Sequence, residues 1–227
     1  SFFFFFLGLF SVGIMVEFLI SKLPVQYPES IKIMEERVQG ILKGNAKELV
    51  WLLEHPPLLT AGTSFKEEDV LSRDLPVFQT NRGGKHTLHA PGQRVCYLVL
   101  NLKERAGGKV PDVRKYVLDL ETIIISSLAK VGIKGEVKEG RVGVWVTNPD
   151  TQKEEKIAAM GIRLTRGITM HGFAINVSND LRLFNNIVPC GLSDFGVCSL
   201  HSLGVLVSME EFDKILLKEI KKFVDLS

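Results

Sequence analysis

The chain has 227 residues, enough for one sizeable core, and no Pro/Ser-rich linker divides it. Its formal net charge of +2 supplies neither the basic footprint of a nucleic-acid binder nor an acidic tail. Three cysteines, Cys96, Cys190 and Cys198, are odd in number and lack C-x-x-C spacing, which argues against a disulfide framework or a zinc site and for a reducing, cytoplasmic setting.

Residues 2–16 open with five successive phenylalanines and are uncharged and almost wholly apolar. A bilayer span needs about 20 such residues, and a secretory signal carries a basic region ahead of its apolar core, so no stable membrane insertion is expected. Met15 directly precedes a strand pattern over Val16–Ile20. The fold is therefore expected to occupy residues 15–227 as one domain, with residues 1–14 as an apolar extension outside it; a peripheral membrane anchor is the alternative reading of that extension. Tyr27-Pro28 opens a helix whose Ile31, Met34, Val38, Ile41 and Leu42 share one face, with Gly44 as its stop. Glu48–Leu53 is expected as a buried strand running into His55-Pro56-Pro57. Pro76–Thr80 and Arg94–Asn101 are expected strands on either side of a glycine-rich segment. Asp112 caps a long helix with Val113, Tyr116, Val117, Leu120, Ile123, Ile124, Leu128 and Val131 inward. Three strands follow, at Val142–Thr147, Lys156–Leu164 and Ile168–Val177. A closing helix starts at Ser208, which forms a capping box with Glu211 ahead of Phe212, Ile215, Leu216 and Phe223. Strands cluster in the middle with helices before and after, the pattern of an α+β domain.

Three ordered segments carry the candidate chemistry. Arg82-Gly83-Gly84-Lys85-His86-Thr87-Leu88-His89, continuing through Pro91-Gly92 to Tyr97, combines paired glycines, two close histidines and a turn before an apolar run. Gly83 and Gly84 permit backbone conformations and close approach that a Cβ forbids. The second segment is Lys156-Ile157-Ala158-Ala159-Met160-Gly161-Ile162-Arg163, and the third is Pro189-Cys190-Gly191. Pro189 and Gly191 hold Cys190 in a turn, where its sulfur can meet a ligand. The competing reading of any lone cysteine is a small buried hydrophobe, and that reading suits Cys96 in its apolar run. Lys156 opens an apolar strand whose small residues let a ligand approach the backbone. A solvated lysine is the alternative, favoured by the preceding Lys153-Glu154-Glu155. An amine beside a thiol stabilises thiolate, so Lys156 and Cys190 are candidates for general base and nucleophile. His89 and His171 are expected to be hydrogen-bonding structural residues. Arg82, Lys85, Arg94, Arg141, Arg163 and Arg166 form either a basic rim for an acidic carrier or ordinary solvated charge.

Together, and in this order, the three segments resemble the lipoyl(octanoyl) transferase family across residues 16–207. The resemblance implies a mixed β-sheet core flanked by helices, similar to the catalytic fold of lipoate and biotin protein ligases. It implies an acyltransferase of protein lipoylation that moves an octanoyl (lipoyl) group from acyl carrier protein to a lysine of a lipoyl domain. The acceptors so implied are the lipoyl domains of 2-oxoacid dehydrogenase complexes and the glycine cleavage H protein, with no nucleic acid involved. In the resemblance, Cys190 is the acyl-accepting position, and Lys156 is its partner. Arg82, Gly83, Gly84, Lys85, His86, Thr87, Leu88 and His89 line the acyl site with Ala159, Met160, Gly161, Gly172, Phe173 and Ala174. Leu88 departs from the residue usual at its position, and Cys198 stands where the family more often has threonine. No metal, nucleotide or other cofactor is expected, since a thioester is already activated. Two other readings compete: an ATP-dependent lipoate–protein ligase, whose chemistry uses no cysteine nucleophile, and a non-catalytic module that docks lipoyl domains or carriers. The joint presence of Cys190 and Lys156 weighs against both.

Overall fold

The computed structural model describes residues 15–66, 70–71, 74–187 and 195–226. The expected apolar extension over residues 1–14 and the Pro189-Cys190-Gly191 turn lie outside the described residues. Strand β1 (Val16–Ile20) leads to helix α1 (Tyr27–Leu42), then β2 (Glu48–Leu53), β3 (Leu58–Ala61), β4 (Val77–Gln79), β5 (His86–His89) and β6 (Gln93–Val99). The single-turn helix α2 (Leu102–Arg105) and the long α3 (Val113–Ala129) follow. The chain continues through β7 (Glu136–Lys138), β8 (Arg141–Thr147), β9 (Glu154–Thr165), β10 (Ile168–Asn176), β11 (Gly196–Val197) and α4 (Met209–Leu226).

The main sheet runs in the order β1-β2-β6-β10-β9-β8-β7, with β11 added alongside β9, and a small second sheet has the order β4-β3-β5. Both are mixed: β1 lies parallel to β2 and β11 parallel to β9, while the pairs from β2 across to β7 are antiparallel, and β3 lies parallel to β4 but antiparallel to β5. Alternation along β2 and β6 sends side chains to two cores. Val50, Leu52, Cys96 and Leu98 pack with α3 and α4, while Leu49, Trp51, Leu53, Val95, Tyr97 and Val99 pack with Met34 and Val38 of α1. With helices on both faces, the central strands have no solvent side, which is why β2, β6 and β10 read as nearly unbroken burial.

Helix ends follow the sequence. The Asp112 side chain accepts the Lys115 N–H at 2.9 Å. Ser208 and Glu211 form the reciprocal box: the Ser208 N–H donates to Glu211 Oε2 at 3.0 Å, and the Glu211 N–H donates to Ser208 Oγ at 3.2 Å. Arg94, expected at a basic rim, is instead buried, and its guanidinium pairs with Asp213 of α4 at 2.7 Å. Its strand is central in the sheet, so its side chain can only run inward to the helix layer. Among the described residues no helix is long and apolar enough to cross a membrane.

Candidate active site

Register explains the cavity. Gly161 stands opposite Gly172 and Ala159 opposite Ala174, while Tyr97 and Val95 continue the same two rows on β6. Four neighbouring positions on one face of the sheet thus carry a methyl group or nothing. The result is a trough of about 220 Å³ whose surface is mostly apolar. Its roof is the Arg82–Lys85 loop with β5, contributing Arg82, Gly84, Lys85, His86, Thr87 and His89. The roof touches the floor through bare backbone. The Gly83 N–H donates to the Ile162 carbonyl at 3.0 Å, and a Cβ on Gly161 would stand 2.8 Å from the Gly83 oxygen. Glycine at 161 is therefore a packing requirement. The buried Arg82 guanidinium ties the loop to β3, donating to Thr60 Oγ1 at 2.7 Å and to the Thr60 carbonyl at 2.8 Å.

One stretch of the trough is polar. Tyr27 and Tyr97 line it with His89 and His171. The Tyr27 hydroxyl meets His171 Nε2 at 3.2 Å. Behind them, His55 Nδ1 donates to the Val25 carbonyl at 2.6 Å, leaving Nε2 to accept from the Tyr97 hydroxyl at 2.8 Å. His89 Nδ1 donates to Gln93 Oε1 at 2.8 Å. Burial depresses all three imidazoles: His55 to about 4, His171 to about 3 and His89 well below its ordinary value. They are neutral hydrogen-bonding groups near pH 7, as expected for His89 and His171.

Lys156 is not a solvated lysine. It is 8% exposed in the trough wall, beside Arg141 and Val142 at the start of β8, with its Nζ 5.1 Å from the centre of the Trp145 ring. Arg141 is held between the rings of Trp145 and Phe195, at 4.7 and 4.3 Å, and its Nη2 donates to Glu154 at 2.7 Å. The backbone of Lys156 pairs with Val197 of β11, and its carbonyl accepts the Cys198 N–H at 3.0 Å. Cys96 and Cys198 are both fully buried; burial pushes the Cys198 thiol up to about 12 and the Cys96 thiol higher still. Neither supplies thiolate at neutral pH.

The sequence model of the lipoyl protein ligase A/B catalytic domain matches residues 26–221. The chain belongs to that family. It is 53% identical over 205 residues to an octanoyltransferase of Bradyrhizobium diazoefficiens, covering 88% of this chain and 81% of the relative. An octanoyltransferase of Wolbachia pipientis subsp. Culex pipiens is 48% identical over 92% of this chain and 99% of its own length. Among solved structures, a lipoate-protein ligase A bound with ATP superposes with a TM-score of 0.68 at 15% identity, over 92% of this chain and 85% of that one. The biotin protein ligase of Aquifex aeolicus in complex with biotin and ATP gives 0.52 at 14% identity, over 94% and 70%. These two likenesses concern the fold: a single mixed-sheet domain.

In this family member the trough gathers twelve of the fourteen residues expected to bind substrate, together with Lys156. Leu88 and Gly83 are the exceptions among them. Leu88 is fully buried in a small core with Leu59, Phe184 and Ile187, and Gly83 spends its N–H on β9. Leu88 therefore shapes the trough from behind. Tyr27, Gly140 and Val142 also line it from outside the three motifs, and Val95 and Tyr97 line it from the apolar end of the first. Tyr27 and Tyr97 sit at inward positions of regular elements and read as core. Cys190 lies outside the described residues, but the chain on either side is anchored here. Ile187 shares a second, smaller cavity with His86 and Lys156, and Phe195 meets Trp145 edge to face.

Proposed function

We propose that the chain transfers an octanoyl group from the thioester of an acyl carrier protein to a lysine amine of a lipoyl domain, by way of a thioester on Cys190. Octanoyl transfer in protein lipoylation rests on relatives 48–53% identical over most of both chains and named octanoyltransferase. The observation that carries the mechanism is Lys156, an amine buried in the wall of a mostly apolar trough whose floor has glycine or alanine at four neighbouring positions. An apolar acyl chain fits such a floor, and a buried amine beside it is a proton carrier in place. Cys190 thiolate attacks the octanoyl carbonyl and releases the carrier's thiol; the acceptor amine then attacks the acyl-enzyme. The burial of Cys96 and Cys198 makes both poor nucleophiles and supports the reading of Cys190 as the acyl-accepting thiol. The acceptors fitting this chemistry are lipoyl domains of 2-oxoacid dehydrogenase complexes and the glycine cleavage H protein. An ATP-dependent ligase shares the fold, but half-identical relatives of the transferase name favour transfer without nucleotide.

The test is intact-mass spectrometry after exposure to octanoyl carrier. One octanoyl mass is expected, labile to hydroxylamine, absent in Cys190→Ala, and discharged by adding a lipoyl domain without ATP. A Cys190→Ala protein that still transfers, or a transfer that needs ATP, overturns the reading. A chain beginning at Met15 is expected to perform equally in the same assay.

A further inference from the structure

Glu121 interrupts the apolar stripe of α3. Leu120, Ile123 and Ile124 enter the core, and Glu121 goes in with them, 2% exposed. Its Oε1 accepts the backbone N–H of Gly143 at 3.1 Å. Lys156 lies against that same glycine: a Cβ on Gly143 would stand 2.7 Å from Lys156 Cε and 3.4 Å from Nζ. Gly143 has a φ of +117° and lies next to the register shift of β8 on β9, between Val144 and Trp145. The strand between carboxylate and amine is thus stripped of its side chain where the two approach. They sense each other there. Burial raises the Glu121 carboxyl above its ordinary range, and the Gly143 hydrogen bond and the charge of Lys156 offset only part of that rise.

We infer that Glu121 is a positioning residue for Lys156, holding the amine in place in the trough wall through the side-chain-free gap at Gly143. This rests on Lys156 being the proton carrier of the two transfers. In the first, the Cys190 sulfur bonds to the octanoyl carbon, the carbon–sulfur bond to the carrier breaks, and the departing thiolate takes the Lys156 proton. In the second, the acceptor nitrogen bonds to that carbon, the bond to Cys190 breaks, and the proton lost by the nitrogen returns to Lys156. The ammonium–thiolate pair is restored, and a fixed carboxylate behind the amine favours the charged form at both ends of the cycle. Among the described residues, charged groups also approach Lys156 from β8, β9 and the roof. Arg141 of β8 is held by Glu154 and two rings, and Glu155 of β9 accepts from Asn148 at 3.0 Å. His86, Lys85 and Arg82 approach from the roof.

Glu121→Gln keeps an acceptor for Gly143 and removes only the charge, and Glu121→Asp keeps the charge. The glutamine variant is expected to acylate at least about tenfold more slowly, with the alkaline limb of its kcat/KM profile moved to lower pH by on the order of one unit, and the aspartate variant to recover most of both. An unmoved limb in the glutamine variant overturns the inference. So does an equal rate loss in both variants that tracks a fall in thermal midpoint, which is the signature of a structural role. Cys190→Ser and Lys156→Ala, run alongside, separate the two levels. If either stays active the two-transfer reading falls, and this inference with it. If both are inactive while Glu121→Gln matches the wild type, the Glu121 assignment alone falls.

Discussion

At Gly143 a single hydrogen atom stands where any other residue would place carbon 2.5 Å from the Ala158 carbonyl oxygen and 2.7 Å from Lys156 Cε. With φ at +117° the backbone is also outside the range that L side chains adopt readily. Gly143→Ala is therefore expected to cost about 2 kcal/mol of stability and, by displacing Lys156, to lower the acylation rate far more than an unfolded fraction of that size explains. Urea unfolding and single-turnover acylation on the same preparation check this; a rate that falls only in step with the folded fraction counts against it. The cysteines give the complementary expectation. Cys198 and Cys96 are buried thiols with elevated pKa, so iodoacetamide at pH 8 should leave both unlabelled in the folded protein. Cys198→Ala and Cys96→Ala should retain most transfer activity, with losses confined to stability. Label found at Cys198 under native conditions contradicts this.

Helix α4 closes one face of the sheet, and its polar anchor is Asp213, whose two oxygens take the Arg94 Nε and Nη2 protons at 2.7 and 2.9 Å. Asp213→Ala leaves a guanidinium buried without its counter-charge, and about 3–5 kcal/mol of destabilisation is expected by chemical unfolding. A loss under 1 kcal/mol would mean that Arg94 finds water or another acceptor. This anchor was not legible in the sequence, because Arg94 and Asp213 are 119 positions apart and a lone arginine reads as rim charge. What was legible is what repeats. The 3.6-residue stripes of α1, α3 and α4, the Asp112 and Ser208–Glu211 caps, and the apolar runs of β2, β6, β9 and β10 appear close to where periodicity puts them, except that Leu42 at the end of α1 and Val113 at the start of α3, expected inward, are exposed. The pieces β3, β5, β7, β11 and α2 span two to four residues each, too few to establish a period. Of the site, the glycine and alanine pairs on β9 and β10 carried their meaning in the motif. Tyr27 did not, since its partner His171 is 144 positions away. Glu121 offered a signal that went unread: an acid inside an apolar helical stripe is there at a cost and needs a reason.

For the molecule as a whole, the buried histidines tie stability to pH. His55, His89 and His171 are depressed in the fold and return to near 6.5 in the unfolded chain. Above that value both states are neutral and nothing is lost. Below it the unfolded chain takes up protons that the fold refuses, so stability falls by about 1.4 kcal/mol per pH unit for each imidazole until the folded values, about 4 for His55 and about 3 for His171, are reached. Urea midpoints measured from pH 7 to pH 5 should decline steadily, and a flat profile would show that the cluster opens to water. The trough has a consequence of another kind. Its floor belongs to the main sheet and its roof to the small one, so the resting molecule is a two-sheet laminate with a gap in the filling. In the proposed acyl-enzyme, the octanoyl group would be eight carbons of that filling, supplied by the substrate. At about 0.8 kcal/mol per buried methylene, the loaded intermediate should be the better-packed protein of the two. It is expected to melt several degrees higher than the free enzyme, and the Gly83 amide, which bridges roof to floor, should exchange with deuterium more slowly. On that proposal, release of the acyl group to its acceptor would reopen the seam, so that each turnover would end by loosening the enzyme that performed it.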